Sequence, residues 1–461
     1  MSIINRINEN ILWGMPMLVL FIGTGVYFSV KLKFFQLNTI KIFKDTLFCK
    51  DNAIVECDNA SDNKQCLSPF QTLTNSLALT IGTGNIVALG TAIAIGGAGA
   101  VFWMWASAII GMATTYAENF LGIKYRKKRP DGGYIGGAFW YIEKALGRLP
   151  AKAFAICCVC ASLGIGNMTQ INAMSYSMKY SFNTPLWITG IIAVVPVGLL
   201  VFGGAKILGK VTEKAIPVVS LVYIVGCLAV IFVFIKDVPT IFIRIITEAF
   251  GVSAIGGGAA GVGISKAMSW GFRRGVFSNE AGLGSTVTMN SMSSSDNAHK
   301  QGLWATLTVF FDTIVICTLT AFPILLTGAD KLDLRDGGMN LASAAFSGAF
   351  GNYAGMFVTI SVAMFAIGTV SGWSVFGAVC VEYLFGQKLI KPFLTVFVGF
   401  AFIGAVMRLD LVWGLADLMN GIMAIPNLLS VILLSDKIVA NEPKANIVAR
   451  SCKELHRKAP Y

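Results

Sequence analysis

Apolar stretches of about twenty residues recur along the whole of this chain, and that spacing leaves few architectures open. A segment of that length in hydrocarbon must satisfy its own backbone polar groups, which a continuous α-helix does within itself. The windows run Ile11 to Val30, Ser68 to Ile95, Ala100 to Gly122, Ala151 to Tyr180, Pro185 to Phe202, Ile216 to Ile235, Gly256 to Gly275, Leu303 to Leu326, Gly351 to Leu384, Pro392 to Met407 and Leu411 to Leu434. They predict an all-α integral membrane protein of about eleven transmembrane helices. Composition agrees, since 55% hydrophobic and 13% charged residues give too little polar surface to cover a soluble globule of 461 residues.

A net charge of +12 would suggest nucleic acid as a partner, but the basic residues sit in alternate loops. They cluster at Lys124 to Arg129, at Lys206, Lys210 and Lys214, at Lys388 and Lys391, and from Lys437 to Lys458. This is the positive-inside pattern of a protein whose partner is the lipid bilayer, not nucleic acid. It places the C-terminus in the cytoplasm and, with an odd number of spans, the N-terminus outside a bacterial-type inner (plasma) membrane. The residues before Ile11 include one Arg and one Glu, and the window lacks a small-residue cleavage site, so it reads as a retained span.

Cys157, Cys158, Cys160, Cys227, Cys317 and Cys380 fall in apolar windows, where a small polarizable residue packs. Cys49, Cys57 and Cys66 fall in a polar insert, Phe48 to Leu67, on the predicted cytoplasmic side, where free thiols are expected. No function is assigned to that insert. His299 and His456 lie in polar regions, and no nucleophile and base stand together, which argues against an enzyme.

Two windows are interrupted by glycine-rich polar sequence, Ile81-Gly82-Thr83-Gly84-Asn85 and Phe277-Ser278-Asn279-Glu280-Ala281-Gly282-Leu283-Gly284. With the first span set aside, the others divide into two fives, each opening on an interrupted helix. Five is odd, so the second set enters the membrane from the opposite side, giving an inverted repeat. The expected parts are an extra span with its polar insert (1–67), a first repeat (68–235), a second repeat (236–436) and a basic tail (437–461).

Unwinding a helix frees N–H groups at the start of one half and carbonyls at the end of the other, which serve as ligands for an anion and a cation. Glycine at 82, 84, 282 and 284 is expected both to adopt unusual backbone angles and to admit a ligand closely. Close helix packing explains Gly96-Gly97-Ala98-Gly99 instead. Asp312 stands in the apolar run Leu307 to Leu325. A carboxylate there is a cation ligand, a proton carrier, or a structural acid tied to another polar group. Glu280, near Arg273 and Arg274, suggests a buried ion pair that ties helices or gates the cytoplasmic side.

Several strings together resemble the alanine or glycine:cation symporter family over Ser68 to Pro426. They are Ser68-Pro69-Phe70-Gln71, Gly82-Thr83-Gly84-Asn85-Ile86, Phe102-Trp103-Met104-Trp105, Gly164-Ile165-Gly166-Asn167-Met168-Thr169-Gln170, the long run Arg274 to Ser285, Phe311-Asp312-Thr313, and Phe365-Ala366 with Thr369 and Gly372-Trp373. The resemblance implies sodium-driven import of small neutral amino acids, alanine or glycine, through a LeuT-type five-plus-five fold with discontinuous helices. It implies sodium as coupling ion and no organic cofactor.

On this likeness the substrate carboxylate is expected at the backbone amides of Thr83 and Gly84, with Asn85 and Gln170 adding hydrogen bonds and Phe277 and Trp373 walling the pocket. One sodium set is Ala78 and Ile81 carbonyls with Thr369; a second is Thr80, Asn85, Ser278, Asp312 and the substrate carboxylate. Two departures stand out: Gly368 replaces the serine that family members usually carry, and Thr286-Val287 replaces Ala-Pro. A proton-coupled carrier of the same fold is the alternative. A channel fits less well, because isolated polar breaks do not line a continuous pore.

Overall fold

Ser68-Pro69-Phe70-Gln71 is a helix start written in sequence. In the computed structural model, which describes residues 7–39, 67–129, 133–251, 259–332 and 339–439, the Ser68 hydroxyl accepts from Gln71 N at 3.1 Å and Gln71 Oε1 accepts from Ser68 N at 3.0 Å. Pro69 occupies the first helical position, where its missing N–H loses nothing. Such a cap holds a helix end by about 1 kcal/mol. The Cys49, Cys57 and Cys66 insert and the basic tail beyond Val439, with His456, lie outside the described residues.

The helix so started, Pro69–Thr80, stops at Ile81, turns through a short 3-10 segment Thr83–Asn85, and resumes as Val87–Gly96, with a bend of 57° across the break. Helices Gly99–Tyr125, Arg148–Leu163 and Thr169–Phe182 follow, the last two joined by a π-helical turn Gly164–Met168. The run Leu186–Val233 is helical on both sides of a kink at Gly204. After the amphipathic helix Val238–Ala249 come Ala259–Asn279 and Thr286–Ser291, the halves of the second interrupted helix. Next come Ala298–Val309, a π-helical stretch Phe310–Cys317 and Thr318–Leu326, then Met339–Phe350, Ala354–Phe385, Ile390–Val406 and Leu409–Leu433. Ahead of them all lies Met15–Lys31.

Among the described residues, 8 helices are long and apolar enough to cross a bilayer, or 9 with the bent pair taken as one span. Eleven such spans are not reached on that measure. Met15–Lys31 has only 17 residues, and Ala259–Asn279 carries Lys266, Arg273 and Arg274. Large apolar side chains such as Leu199, Phe202, Leu221 and Phe232 stay exposed on the kinked run, a surface suited to lipid.

Inside the bundle, lipid is as apolar as leucine, so close approach of small residues does what the hydrophobic effect does in water. Ala259–Asn279 packs along Gly99–Tyr125. A methyl on Gly271 would lie 2.4 Å from Ala100 O, and one on Gly99 would lie 2.5 Å from Ala249 N. The packing role read for the Gly96 to Gly99 run holds at Gly96 and Gly99, while Gly97, at φ 74°, ends the helix Val87–Gly96.

The two interrupted helices are also latched at their ends. Leu67 donates to Met292 O at 3.2 Å and accepts from Ser294 N at 2.8 Å. Arg126 gathers the carbonyl of Ser291 (3.0 Å), which the end of Thr286–Ser291 leaves free, and those of Ser293 (2.6 Å) and Ser295 (3.0 Å) in the chain beyond it.

Candidate substrate and ion site

The first break brings Asn85 to the centre of the bundle, where its side chain works in two directions. Its Oδ1 accepts from Gly82 N at 2.9 Å, fastening the turn, as a cap would. Its Nδ2 donates to Asp312 Oδ1 at 2.8 Å and Ser278 Oγ at 3.0 Å. The oxygen expected for a cation is thus used on the backbone, and the amide is aimed at the carboxylate.

Asp312 is fully buried and sits in the π-helical stretch, a wide turn common at functional sites. Its Oδ2 accepts from Ser278 Oγ at 2.7 Å and Thr313 Oγ1 at 2.8 Å; Thr313 in turn accepts from Asn279 Nδ2 at 3.2 Å. Each of these donors is neutral. None of them supplies a counter-charge to the carboxylate. Cys317, read from sequence as a packing residue, borders the same cluster at 3.4 Å from Asn85 Nδ2 and 3.5 Å from Ser278 Oγ.

A second oxygen cluster lies on the other side of Gly82. Thr369 Oγ1 is 3.0 Å from Ala78 O and 3.2 Å from Ile81 O, so the three atoms named for the first sodium set do meet. The carbonyls are available because the helix stops there. A methyl on Gly82 would lie 2.7 Å from Thr369 Oγ1 and 2.8 Å from Gln170 Oε1. Gln170 Oε1 accepts from both Thr83 N and Thr83 Oγ1 at 3.0 Å, while its Nε2 donates to Ile165 O at 3.1 Å. The Thr83 amide, expected to face a substrate carboxylate, is here engaged by Gln170.

Phe277 lies across the first break. Its ring is 3.4 Å from the position of a Gly84 methyl and stacks on Trp413 at 5.1 Å. Trp373 is buried against Gly166 in the other π-helical turn, one helical turn along from Thr369, and packs edge-on to Phe376. Thr80 stands apart from the Asp312 cluster, its hydroxyl 3.5 Å from Leu77 O within its own helix.

The second break differs from its expected extent. Phe277, Ser278 and Asn279 are still helical, because Glu280 N donates to Val276 O at 2.9 Å, and the backbone leaves the helix only at Glu280. Positive φ angles at Glu280 (57°), Gly282 (88°) and Gly284 (73°) then reverse the chain. Gly82, in contrast, has φ −141°, so there glycine is required for space and not for its angle. The turn is braced by Glu118 on Gly99–Tyr125, which accepts from Gly282 N at 3.3 Å and from Asn427 Nδ2; Asn427 Nδ2 also donates to Gly282 O at 2.9 Å.

The ion pair expected between Glu280 and an arginine is not the one formed. Glu280 accepts from the Ser285 hydroxyl, and both Arg273 and Arg274 turn to Asp417, Arg274 Nη1 at 3.3 Å from Oδ1. A helix bearing both arginines points them away from a residue in the turn that follows it. The partner comes from Leu409–Leu433.

Two interrupted helices meeting at a buried carboxylate, inside a bundle of membrane-spanning helices, define a secondary transporter of the LeuT type. The crystal structure of MhsT in complex with L-phenylalanine shares the fold, with a TM-score of 0.59 over 81% of this chain and 90% of that one at 13% sequence identity. A family model, the sodium:alanine symporter family, matches residues 1–447. The sodium/alanine symporter AgcS of Methanococcus maripaludis is 40% identical over 453 residues, covering 96% of each chain. A probable sodium/glutamine symporter, GlnT, of Bacillus subtilis is 36% identical over 431 residues, covering 93% of this chain and 87% of its own.

The chain belongs to the sodium:alanine symporter family. It is a multi-pass membrane transporter and not an enzyme.

Proposed function

We propose that this protein imports a small neutral amino acid, alanine or glycine, together with sodium by alternating access across a bacterial-type inner membrane. The observation that carries the reading is the meeting of Asn85 from the first break, Ser278 from the helix end that leads into the second, and Asp312, with Asn85 and Ser278 each hydrogen-bonded to the carboxylate and to one another within 3.0 Å. Sodium takes hard oxygen ligands. Asp312 and Ser278 supply one set and Ala78 O, Ile81 O and Thr369 Oγ1 the other. The amide of Gly84, with Thr83 once Gln170 releases it, receives the substrate carboxylate at the start of Val87–Gly96. Carbonyls ending Ala259–Asn279 receive the ammonium, so no second formal charge is needed.

Phe277 and Trp373 limit the side chain. Steric exclusion of one extra methylene is worth roughly 1–3 kcal/mol, so alanine is preferred to larger substrates by degree. Sharing the site makes sodium and substrate bind jointly, and the repeats 68–235 and 236–436 move about them as the two halves of the inverted fold. One charge crossing 100 mV contributes about 2.3 kcal/mol, or about fifty-fold accumulation. The N-terminus lies outside and the C-terminus in the cytoplasm.

Purified protein in proteoliposomes, given labelled alanine with sodium or choline outside at several fixed pH values, tests this. Uptake that needs sodium at every pH is the expected result. Uptake indifferent to sodium and driven by an inward proton gradient would instead make Asp312 a proton carrier, because a proton equally completes a carboxylate ringed by neutral donors.

A further inference from the structure

Away from the two breaks, a cavity of about 470 Å³ opens where the start of Arg148–Leu163 meets the short helix Ala138–Leu146, the strand pair Lys127–Lys128 with Tyr134–Ile135, and the end of Ala354–Phe385. Its volume is that of a small-ligand site. Lys127, Arg148 and Lys152 all line it, and no ion pair ties any of them to a carboxylate among the described residues. The two carboxylates in the wall have other partners. Glu382 is paired with Arg129 and accepts from Gln387 Nε2 at 3.1 Å, and Glu143 Oε2 accepts from Tyr383 OH at 2.8 Å.

The cations are also placed against their own local electrostatics. Arg148 and Lys152 are like charges four residues apart on one face of a 16-residue helix, and Arg148 is its first residue, where the backbone's partial charge is already positive. Lys127 Nζ is held 3.5 Å from the centroid of the Trp140 ring, which fixes its position without neutralising it. Three positive groups around one hollow suit an anion with several oxygens, and a guanidinium beside two ammonium groups is the donor set that phosphate uses. Leu149, 80% exposed, and Phe385, 62% exposed, are apolar chain neighbours of the lining residues Arg148, Leu384 and Gly386. The loop belongs to the basic set read as cytoplasmic, the side on which anionic headgroups attract such clusters.

We propose that this cavity binds a phosphate-bearing anion, with an acidic phospholipid headgroup as the form the membrane supplies and its chains lying over Leu149 and Phe385. The site is separate from the one that carries the amino acid and sodium, and it stands whether or not that reading holds.

Full-length protein in a neutral detergent is titrated with dioctanoyl phosphatidylglycerol, dioctanoyl phosphatidylcholine or inorganic pyrophosphate while the midpoint of thermal unfolding is followed. A saturable rise with phosphatidylglycerol and none with phosphatidylcholine is expected. The double variant Arg148→Gln, Lys152→Gln should raise the half-saturating concentration by about tenfold or more. The charge-keeping swap Arg148→Lys, Lys152→Arg should retain most of the response. Pyrophosphate acting as well as the lipid, with the same loss in the double variant, would assign the site to a soluble phosphate. Equal responses to the two lipids, an undiminished response in the double variant, or no response to either anion would overturn the proposal. Should the double variant fail to fold, Lys127→Gln on the exposed strand is held to the same criterion.

Discussion

The two helix breaks look alike in sequence and are built on different physics. At the first, Gly82 keeps an ordinary extended backbone, and its missing side chain leaves room for Thr369 and Gln170 to close on it. At the second, Gly282 and Gly284 take positive φ angles that other residues resist, and Glu118 and Asn427 hold the reversed chain from outside. The first break faces Thr369 and Gln170 on one side and the Asp312 carboxylate, through Asn85, on the other. The second is a rigid turn that presents Ser278 from the end of a helix that has not yet unwound. A glycine in a membrane helix therefore has no single meaning, and its neighbours decide which property is in use.

Substitutions to alanine separate the two cases. Gly284→Ala places a side chain at φ 73° and its methyl 2.8 Å from both Asn427 Oδ1 and Ala138 Cβ. It should destabilise the protein by about 3 kcal/mol or more, read as a lowered midpoint of thermal unfolding and poor yield. Gly82→Ala meets no backbone penalty, so its stability loss should stay near 1 kcal/mol. Its methyl would press on Thr369 and Gln170, and alanine uptake should fall by about tenfold or more at near-normal expression. The reverse order of stability losses would break the comparison.

The smallest effect sharpens it. A side chain at Gly368 would start 3.9 Å from Ala78 O, with only the end of Ile216 in its way at 3.1 Å. Gly368→Ser adds an oxygen beside the Thr369 cluster and should lower the sodium concentration for half-maximal uptake by about two- to fivefold. A serine that leaves sodium dependence unchanged would remove Ala78 and Thr369 from the ion's path.

Much of this was legible in the chain because the signals are local. Apolar windows and the two glycine-rich interruptions are contiguous in the chain, and a carboxylate in an apolar run declares itself. The likeness to known symporters carried Thr369 and the Ala78 and Ile81 carbonyls, which no local pattern joins across 288 positions or more. What escaped is long-range or purely conformational. Nothing in Phe310 to Cys317 announces a π-helical turn, yet that turn seats Asp312 and brings Cys317 to Asn85. Glu280 is close to Arg273 and Arg274 in sequence, but the residue that pairs with them, Asp417, lies 144 positions beyond Arg273. Glu118 and Asn427, 309 positions apart, meet only when folding brings both onto Gly282.

The central claim is that Asp312 joins the two breaks through a sodium ion that the substrate shares. Sodium titration of labelled alanine uptake in proteoliposomes, wild type beside Asp312→Asn, tests it most directly. The neutral variant should insert normally, and its sodium concentration for half-maximal uptake should rise by about tenfold or more. Intact uptake with an unaltered sodium titration would contradict it.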